Sequence, residues 1–203
     1  GGFFGPLMKC SGWDALEIQG KSEKDIIIVI DGDDGTVTIM EDYLETSDSH
    51  VIAARLTEDF AKDEEDRANV AVVSSGRGAE NSLWGMVNFS LFDRHRKDVR
   101  LKQAGRGGTG TVLRNKGVKA VVVRSSLYLG NMNQPEDPEL IKELGLRVNR
   151  EIFTLDDKQI KMRKSGTSFL VELCNNYELL PVENYKFGSS PQHHKVKREI
   201  WEI

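Results

Sequence analysis

The stretch Lys102-Gln103-Ala104-Gly105-Arg106-Gly107-Gly108-Thr109-Gly110 holds the residue types from which an anion site is built. Glycines let backbone N–H groups approach an anion without Cβ obstruction, and a helix starting after them adds the positive end of its dipole. Arg106 can add a bidentate phosphate contact. Gly105 to Gly110 also fits G-x-G-x-x-G, the dinucleotide fingerprint, but its surroundings argue against that use. Arg94 to Lys102 is basic rather than a clean apolar strand, and Gly117 interrupts any crossover helix soon afterwards. No acidic residue follows Val121-Val122-Val123 to meet a ribose, whereas Arg124-Ser125-Ser126 leaves a 2′-phosphate, and so NADP, open. Taken alone, the loop suits a tight turn with a surface arginine slightly better than a binding site.

Other chemistry-bearing residues are weaker signals. Asp31-Gly32-Asp33-Asp34-Gly35 lacks the length and closing Glu of a calcium loop and predicts a hairpin turn. His193-His194 lies in a Ser/Pro/Lys-rich stretch that suits a solvated loop better than a metal site. Arg94-His95-Arg96-Lys97, with Phe89 and Phe92 nearby, hints at nucleic acid, but in an acidic chain it suits an anionic cofactor or a partner subunit better. Trp13 and Trp84 are expected in core or edge packing.

The elements that must position these residues follow from periodicity and turn signals. Phe3 to Lys9 predicts a helix closed by Ser11-Gly12; Ala15 to Gln19 and Asp25 to Ile30 predict strands, the second turning into Thr36 to Met40. Ser47 or Ser49 should cap a helix from about Val51 to Ala61, followed by a solvated Asp63-Glu64-Glu65-Asp66-Arg67 loop. Val70 to Val73, Gly85 to Leu91 and Val118 to Arg124 predict further strands. After a Pro/Asn/Asp-rich break at Asn131 to Pro138 come helices at Pro138 to Glu151 and Thr167 to Tyr177. A boundary near 126–137 divides a strand-rich part, 1–130, from the start of an all-helical part, 131–203.

Composition sets the outer bounds. With 38% hydrophobic and 30% charged residues the chain can bury a core like an ordinary soluble protein. A net charge of −4 gives no general polyanion-binding role, so no nucleic acid partner is expected. The apolar run Ile26 to Ile30 is far too short to span a membrane, and no signal peptide is evident. Cys10 and Cys174 lie far apart, which suits a reducing compartment and leaves no complete zinc or iron–sulfur site here. A start without Met suggests a cut or processed piece.

Three segments in order carry a resemblance: Gly76-Arg77-Gly78-Ala79-Glu80-Asn81, the glycine loop from Lys102 to Gly110, and Lys116-Gly117-Val118-Lys119-Ala120-Val121-Val122-Val123. Together they resemble the N-terminal domain of the tungsten-containing aldehyde ferredoxin oxidoreductases. Gly1-Gly2-Phe3-Phe4-Gly5 with Gly12-Trp13-Asp14-Ala15, and Gly166-Thr167 with Leu170-Val171 and Leu180-Pro181, resemble earlier and later stretches of that family. The resemblance implies an α+β fold, an antiparallel-sheet cofactor base of two sheets followed by a mostly helical segment. It implies a tungsten bis-pterin cofactor whose phosphates are bridged by magnesium, and a 4Fe-4S cluster held by residues outside this chain.

Carried over by position, the cofactor-binding residues are Gly1, Lys102, Gln103, Gly105 and Arg106, with the Gln103 backbone carbonyl facing magnesium. Lys102 stands where the family has arginine, a point charge replacing a bidentate fork. No catalytic residue falls within the chain. The implied reaction is oxidation of aldehydes to carboxylic acids, with electrons passing to ferredoxin or an iron–sulfur subunit. An oligomer in the cytoplasm of an anaerobe is expected, with the rest of the enzyme or a companion chain as partner. A reductase acting on aromatic thioesters and a non-catalytic assembly module are the alternatives.

Overall fold

The computed structural model describes residues 2–129, 135–154 and 162–196. Two compact units emerge, Gly1–Asn133 and Gln134–Ile203.

The first unit is a six-stranded sheet with helices packed on it, and the protein is α+β. Its strands are β1 (Ile26–Asp31), β2 (Thr36–Glu41), β3 (Val70–Ser74), β4 (Val87–Asp93), β5 (Asp98–Ala104) and β6 (Val118–Arg124), ordered β2-β1-β6-β3-β4-β5. Neighbours pair antiparallel except β1 with β6, which run parallel. The two antiparallel sheets implied by the resemblance are thus, among the described residues, one mixed sheet. β3 and β6 are buried along their whole length, so each reads as a continuous apolar-rich run rather than an alternating one. Asp31-Gly32-Asp33-Asp34-Gly35 makes the expected turn between β1 and β2.

Each face of the sheet has its own core. Helix α1 (Phe4–Cys10) sets Phe4 and Leu7 against Ile28, Ile30, Val73 and Val121. Helix α2 (Ser49–Phe60) covers the other face, with Ile52 and Leu56 against Ile27, Val70 and Val122. Val99 and Leu101, on edge strand β5, join this second core while Arg100 and Lys102 alternate onto the opposite face. The strand hidden in the basic run is therefore real, amphipathic and at the sheet's edge.

Two local expectations change. Ala15 to Gln19 forms no strand, being a mostly exposed connection into β1. The cap of α2 is Asp48, not Ser47 or Ser49: its carboxylate accepts from the N–H groups of His50 at 2.7 Å and Val51 at 3.3 Å. Aspartate and serine cap about equally well, so residue type alone does not separate Asp48 from the two serines that flank it. Asp48→Ala should lower unfolding free energy by about 1 kcal/mol in urea titration. A change within error would show that Ile52 and Leu56 anchor the helix without the cap.

In the second unit, α4 (Pro138–Thr154) begins after Asp137, whose carboxylate accepts from Leu140 N–H at 2.9 Å. The second expected helix starts as a 3-10 turn, Gly166–Leu170, and becomes helical only in α5 (Val171–Asn176). Neither α4 nor α5 contains a buried residue. A β-bridge, Val182 to Phe187, tightens the following segment.

Candidate functional site

One end of the sheet collects the segments that the sequence singles out. β3 leaves its last residue, Ser74, beside the start of β4 and of β6, because Ser74 pairs with both Asn88 and Ala120. β5 ends there too, Ala104 opposite Val87. The Arg77–Glu80 3-10 turn after β3, the Gly105–Gly108 loop after β5 and helix α3 (Thr109–Asn115) before β6 therefore share one end.

The glycines divide into two kinds. Gly108 has φ +65, and a Cβ there would run into the Leu83 carbonyl. A Cβ on Gly110 would lie 2.5 Å from the Met86 carbonyl carbon and 2.6 Å from Ser75 Oγ. These two press α3 against the 82–86 segment, where Gly110 N–H donates to the Gly85 carbonyl at 2.9 Å. Gly105, by contrast, has nothing within 4 Å of its Cβ position. Among the described residues, the N–H groups of Arg106, Gly107 and Gly108 donate to no protein acceptor. So Gly108 and Gly110 serve packing, and the Gly105–Gly107 side stays open to an anion. The expected helix-dipole contribution is small, since α3 has only seven residues.

Side chains hold this end rigid. Thr111 Oγ1 donates to the Ser82 carbonyl and accepts from Gly85 N–H at 3.0 Å. Arg114 Nη2 reaches Glu80 at 2.7 Å and Asp25 at 2.8 Å. Burial alone would lower the Arg114 pKa, but the two carboxylates outweigh it and raise it, so the guanidinium stays charged. Lys119, buried in β6, donates to Asp42 and to the Leu44 carbonyl at 2.7 Å. A cleft of about 300 Å³ opens beside these segments, lined by Ser49, Gly76, Ala79, Trp84, Met86 and Asn88.

Lys102, Gln103, Gly105 and Arg106 lie together at the end of β5, all exposed. Strand alternation separates their side chains, however. Lys102 pairs with Phe89 and Gln103 with Asn88, on opposite faces. Gly1 lies outside the described residues. Gly2, which sequence reasoning passed over, has φ +67, and a Cβ there would sit 2.6 Å from the Ser90 carbonyl oxygen and 3.1 Å from Phe89 Cβ. The opening segment thus runs beside the β4 residue that pairs with Lys102; the adjacent glycine pair was the available signal.

The other residues that the sequence singles out are also placed. Arg124 does not await a 2′-phosphate: it is 3% exposed and bound to Asp66 at 2.9 Å and Asp33 at 2.7 Å. It also stands at the far end of β6, about 20 Å from α3 at a strand's rise per residue. β5 and β6 are not neighbours either, so no dinucleotide-type βαβ unit exists around the loop. Asp66 is buried rather than solvated. The basic run Arg94 to Lys97 turns β4 into β5 at the end opposite the glycine loop, with Arg96 on Asp93 at 2.8 Å. Trp84 is 78% exposed and Trp13 44% exposed, neither a core residue. His193 and His194 each place Nδ1 near a backbone carbonyl of their own turn, Ser190 and Pro191.

Fold and site together define an α+β domain with a glycine-rich loop closing an edge strand beside a second glycine turn. A sequence profile described as aldehyde ferredoxin oxidoreductase, N-terminal domain, matches residues 1–125. The chain belongs to this oxidoreductase family. It is 29% identical to a tungsten-containing aldehyde ferredoxin oxidoreductase of Pyrococcus furiosus, over 98% of this chain and 30% of the relative. The corresponding protein of Pyrococcus horikoshii is 28% identical over 93% of this chain and 28% of the relative. The chain thus spans less than a third of the length of these curated relatives. Among solved structures, the active site complex BamBC of benzoyl coenzyme A reductase in complex with 1,5 dienoyl-CoA is similar. There the TM-score is 0.51 and identity 27%, covering 75% of this chain and 20% of the other. No described helix is long and apolar enough to cross a membrane.

Proposed function

We propose that this chain is the cofactor-holding part of a tungsten bis-pterin oxidoreductase that oxidises aldehydes to carboxylic acids. The observation that carries this is the open Gly105–Gly107 side of the loop, set beside the 77–80 turn in a member of this family. The residues fit a pterin phosphate: unobstructed space at Gly105, N–H groups at Arg106, Gly107 and Gly108 with no protein acceptor among the described residues, and an exposed guanidinium at Arg106. When bound, the tungsten cofactor would supply the redox chemistry, with a 4Fe-4S cluster held by residues outside this chain and ferredoxin or an iron–sulfur subunit as the electron partner.

This chain's part is to grip and orient. Arg106 holds a phosphate by a charged fork, and the loop N–H groups fix its position. Lys102 adds a point charge from the other side of β5, paired with the β4 residue beside which the opening glycine Gly2 runs. The Gln103 backbone carbonyl would hold a magnesium ion, which would neutralise phosphate charge. The remainder of the enzyme or a companion chain supplies the substrate side, in an oligomer working in an anaerobic cytoplasm.

Arg106→Ala in the full-length protein should lower pterin and tungsten retention by on the order of 1–3 kcal/mol, with the melting temperature unchanged. Unchanged metal and pterin content in the purified variant would remove the assignment. The likeness to the benzoyl coenzyme A reductase complex favours a second reading, a reductase acting on aromatic thioesters. Assaying the full-length protein with an aldehyde and an electron acceptor, then with an aromatic thioester and a reductant, separates the two.

A further inference from the structure

Helix α3 is too short to hold its own orientation, at seven residues. Its direction, and with it the exit of the Gly105–Gly108 loop, is set by ties to its neighbours. Gly110 and Thr111 provide the first tie, to the Ser82–Met86 segment. Arg114, three residues beyond Thr111 and so on the same helix face, provides the second. Its Nη2 is shared between Glu80 of the 77–80 turn and Asp25 ahead of β1, at 2.7 and 2.8 Å.

The arrangement is asymmetric. The Arg114 side chain is 8% exposed, whereas those of Glu80 and Asp25 are 37% and 39% exposed. Nε and Nη1 of Arg114 are buried with no hydrogen-bond partner. What the placement achieves is a fixed register between α3 and the 77–80 turn. That turn is otherwise held at its start, by Arg77 N–H on the Ser47 carbonyl at 3.2 Å and by buried Ala79.

We infer that Arg114 is a positioning residue of the anion site, acting through Glu80 to set the Gly105–Gly108 loop against the Gly76–Asn81 turn. This rests on the reading of the loop as a phosphate grip. Arg114 touches no ligand in this role; it decides where the loop N–H groups and Arg106 point. Asp25 holds the guanidinium in place at the sheet end.

The test compares Glu80→Gln, Arg114→Lys, Arg114→Leu and Arg106→Ala in the full-length protein. Glu80→Gln should lower pterin and tungsten content per chain by about five-fold at an unchanged melting temperature. Arg114→Lys, which keeps a charge for Glu80, should retain more than Arg114→Leu. In the metal-free protein, amide hydrogen exchange across 104–110 should accelerate in Glu80→Gln and not in Arg106→Ala. Normal retention in Glu80→Gln alongside loss in Arg106→Ala overturns the inference and leaves the phosphate grip standing. Normal retention in Arg106→Ala overturns the grip itself, and the inference with it. A melting temperature that falls in step with retention marks Arg114 as a structural tie only, and equal losses in the lysine and leucine variants rule out the charge coupling.

Discussion

Arg124→Leu should remove about 3–5 kcal/mol from the unfolding free energy of this chain at neutral pH, read by urea or guanidinium titration. The cause is what the substitution leaves behind. Arg124 Nε meets Asp66 at 2.9 Å, and Nη1 meets Asp33 at 2.7 Å and Asp31 at 3.5 Å, so three carboxylates lose their shared cation together. Asp66 itself is buried and cannot recover its hydration without opening the β3 end of the sheet. A loss under about 1 kcal/mol would mean that the cluster behaves as a surface pair.

The same cluster sets an acid limit. Burial pushes the Asp33 carboxyl up, but the backbone and hydroxyl of Ser126 and the guanidinium of Arg124 outweigh it and hold it at about 2. Asp66 is lowered in the same way, burial being outweighed by Arg124, Asn69 and the Lys62 N–H. Folded pKa values below the ordinary 3.8 mean that this stabilisation is complete above that value and lost as pH falls towards about 2. Arg124→Leu should therefore flatten the fall in stability between about pH 4 and pH 2.

Gly110→Ala and Gly105→Ala should part company sharply, although both remove a glycine from one short motif. The methyl group at position 110 meets the Met86 carbonyl carbon at 2.5 Å and Ser75 Oγ at 2.6 Å, and both are backbone-tied, since Ser75 Oγ donates to the Met86 carbonyl at 3.1 Å just ahead of β4. That variant should lose on the order of 3 kcal/mol, or fail to fold. At position 105 the methyl group meets nothing within 4 Å, so stability should hold to within about 0.5 kcal/mol. Its effect should instead fall on pterin and tungsten retention in the full-length protein, where a Cβ stands between the backbone and an anion. Equal destabilisation by the two variants would refute the division of the loop into a packing side and an open side.

Much of the sheet was legible from the sequence because its signals are local. Asp31 to Gly35 lies between two β-rich runs, and the unbroken apolar stretches of β3 and β6 announce strands buried on both faces. What stayed hidden depends on partners distant along the chain. Asp66 sits in a charged run that resembles solvated loop, and its neutralising partner in burial, Arg124, is 58 residues away. Trp84 has the composition of a core residue, yet the segment carrying it is bound by its backbone to α3, which leaves the indole outside. At the candidate site, the grouping of Lys102, Gln103, Gly105 and Arg106 could be read from their adjacency. Their distribution between two faces could not, because it requires knowing that the basic run is a strand and where its register starts.

The place of β6 in the sheet bears on how the chain comes off the ribosome. Among the described residues it is the last strand of its unit to be synthesised, and yet it lies inside the sheet, parallel to β1 and antiparallel to β3. Until Val118 to Arg124 has emerged, the β1–β2 hairpin and the β3–β4–β5 meander cannot be joined through it. During that interval the apolar edges of β1 and β3 are both unpaired, in the state most open to pairing with another nascent chain. Translation that stalls short of residue 124 should therefore release an aggregation-prone half-sheet, where one completed strand would have closed the fold.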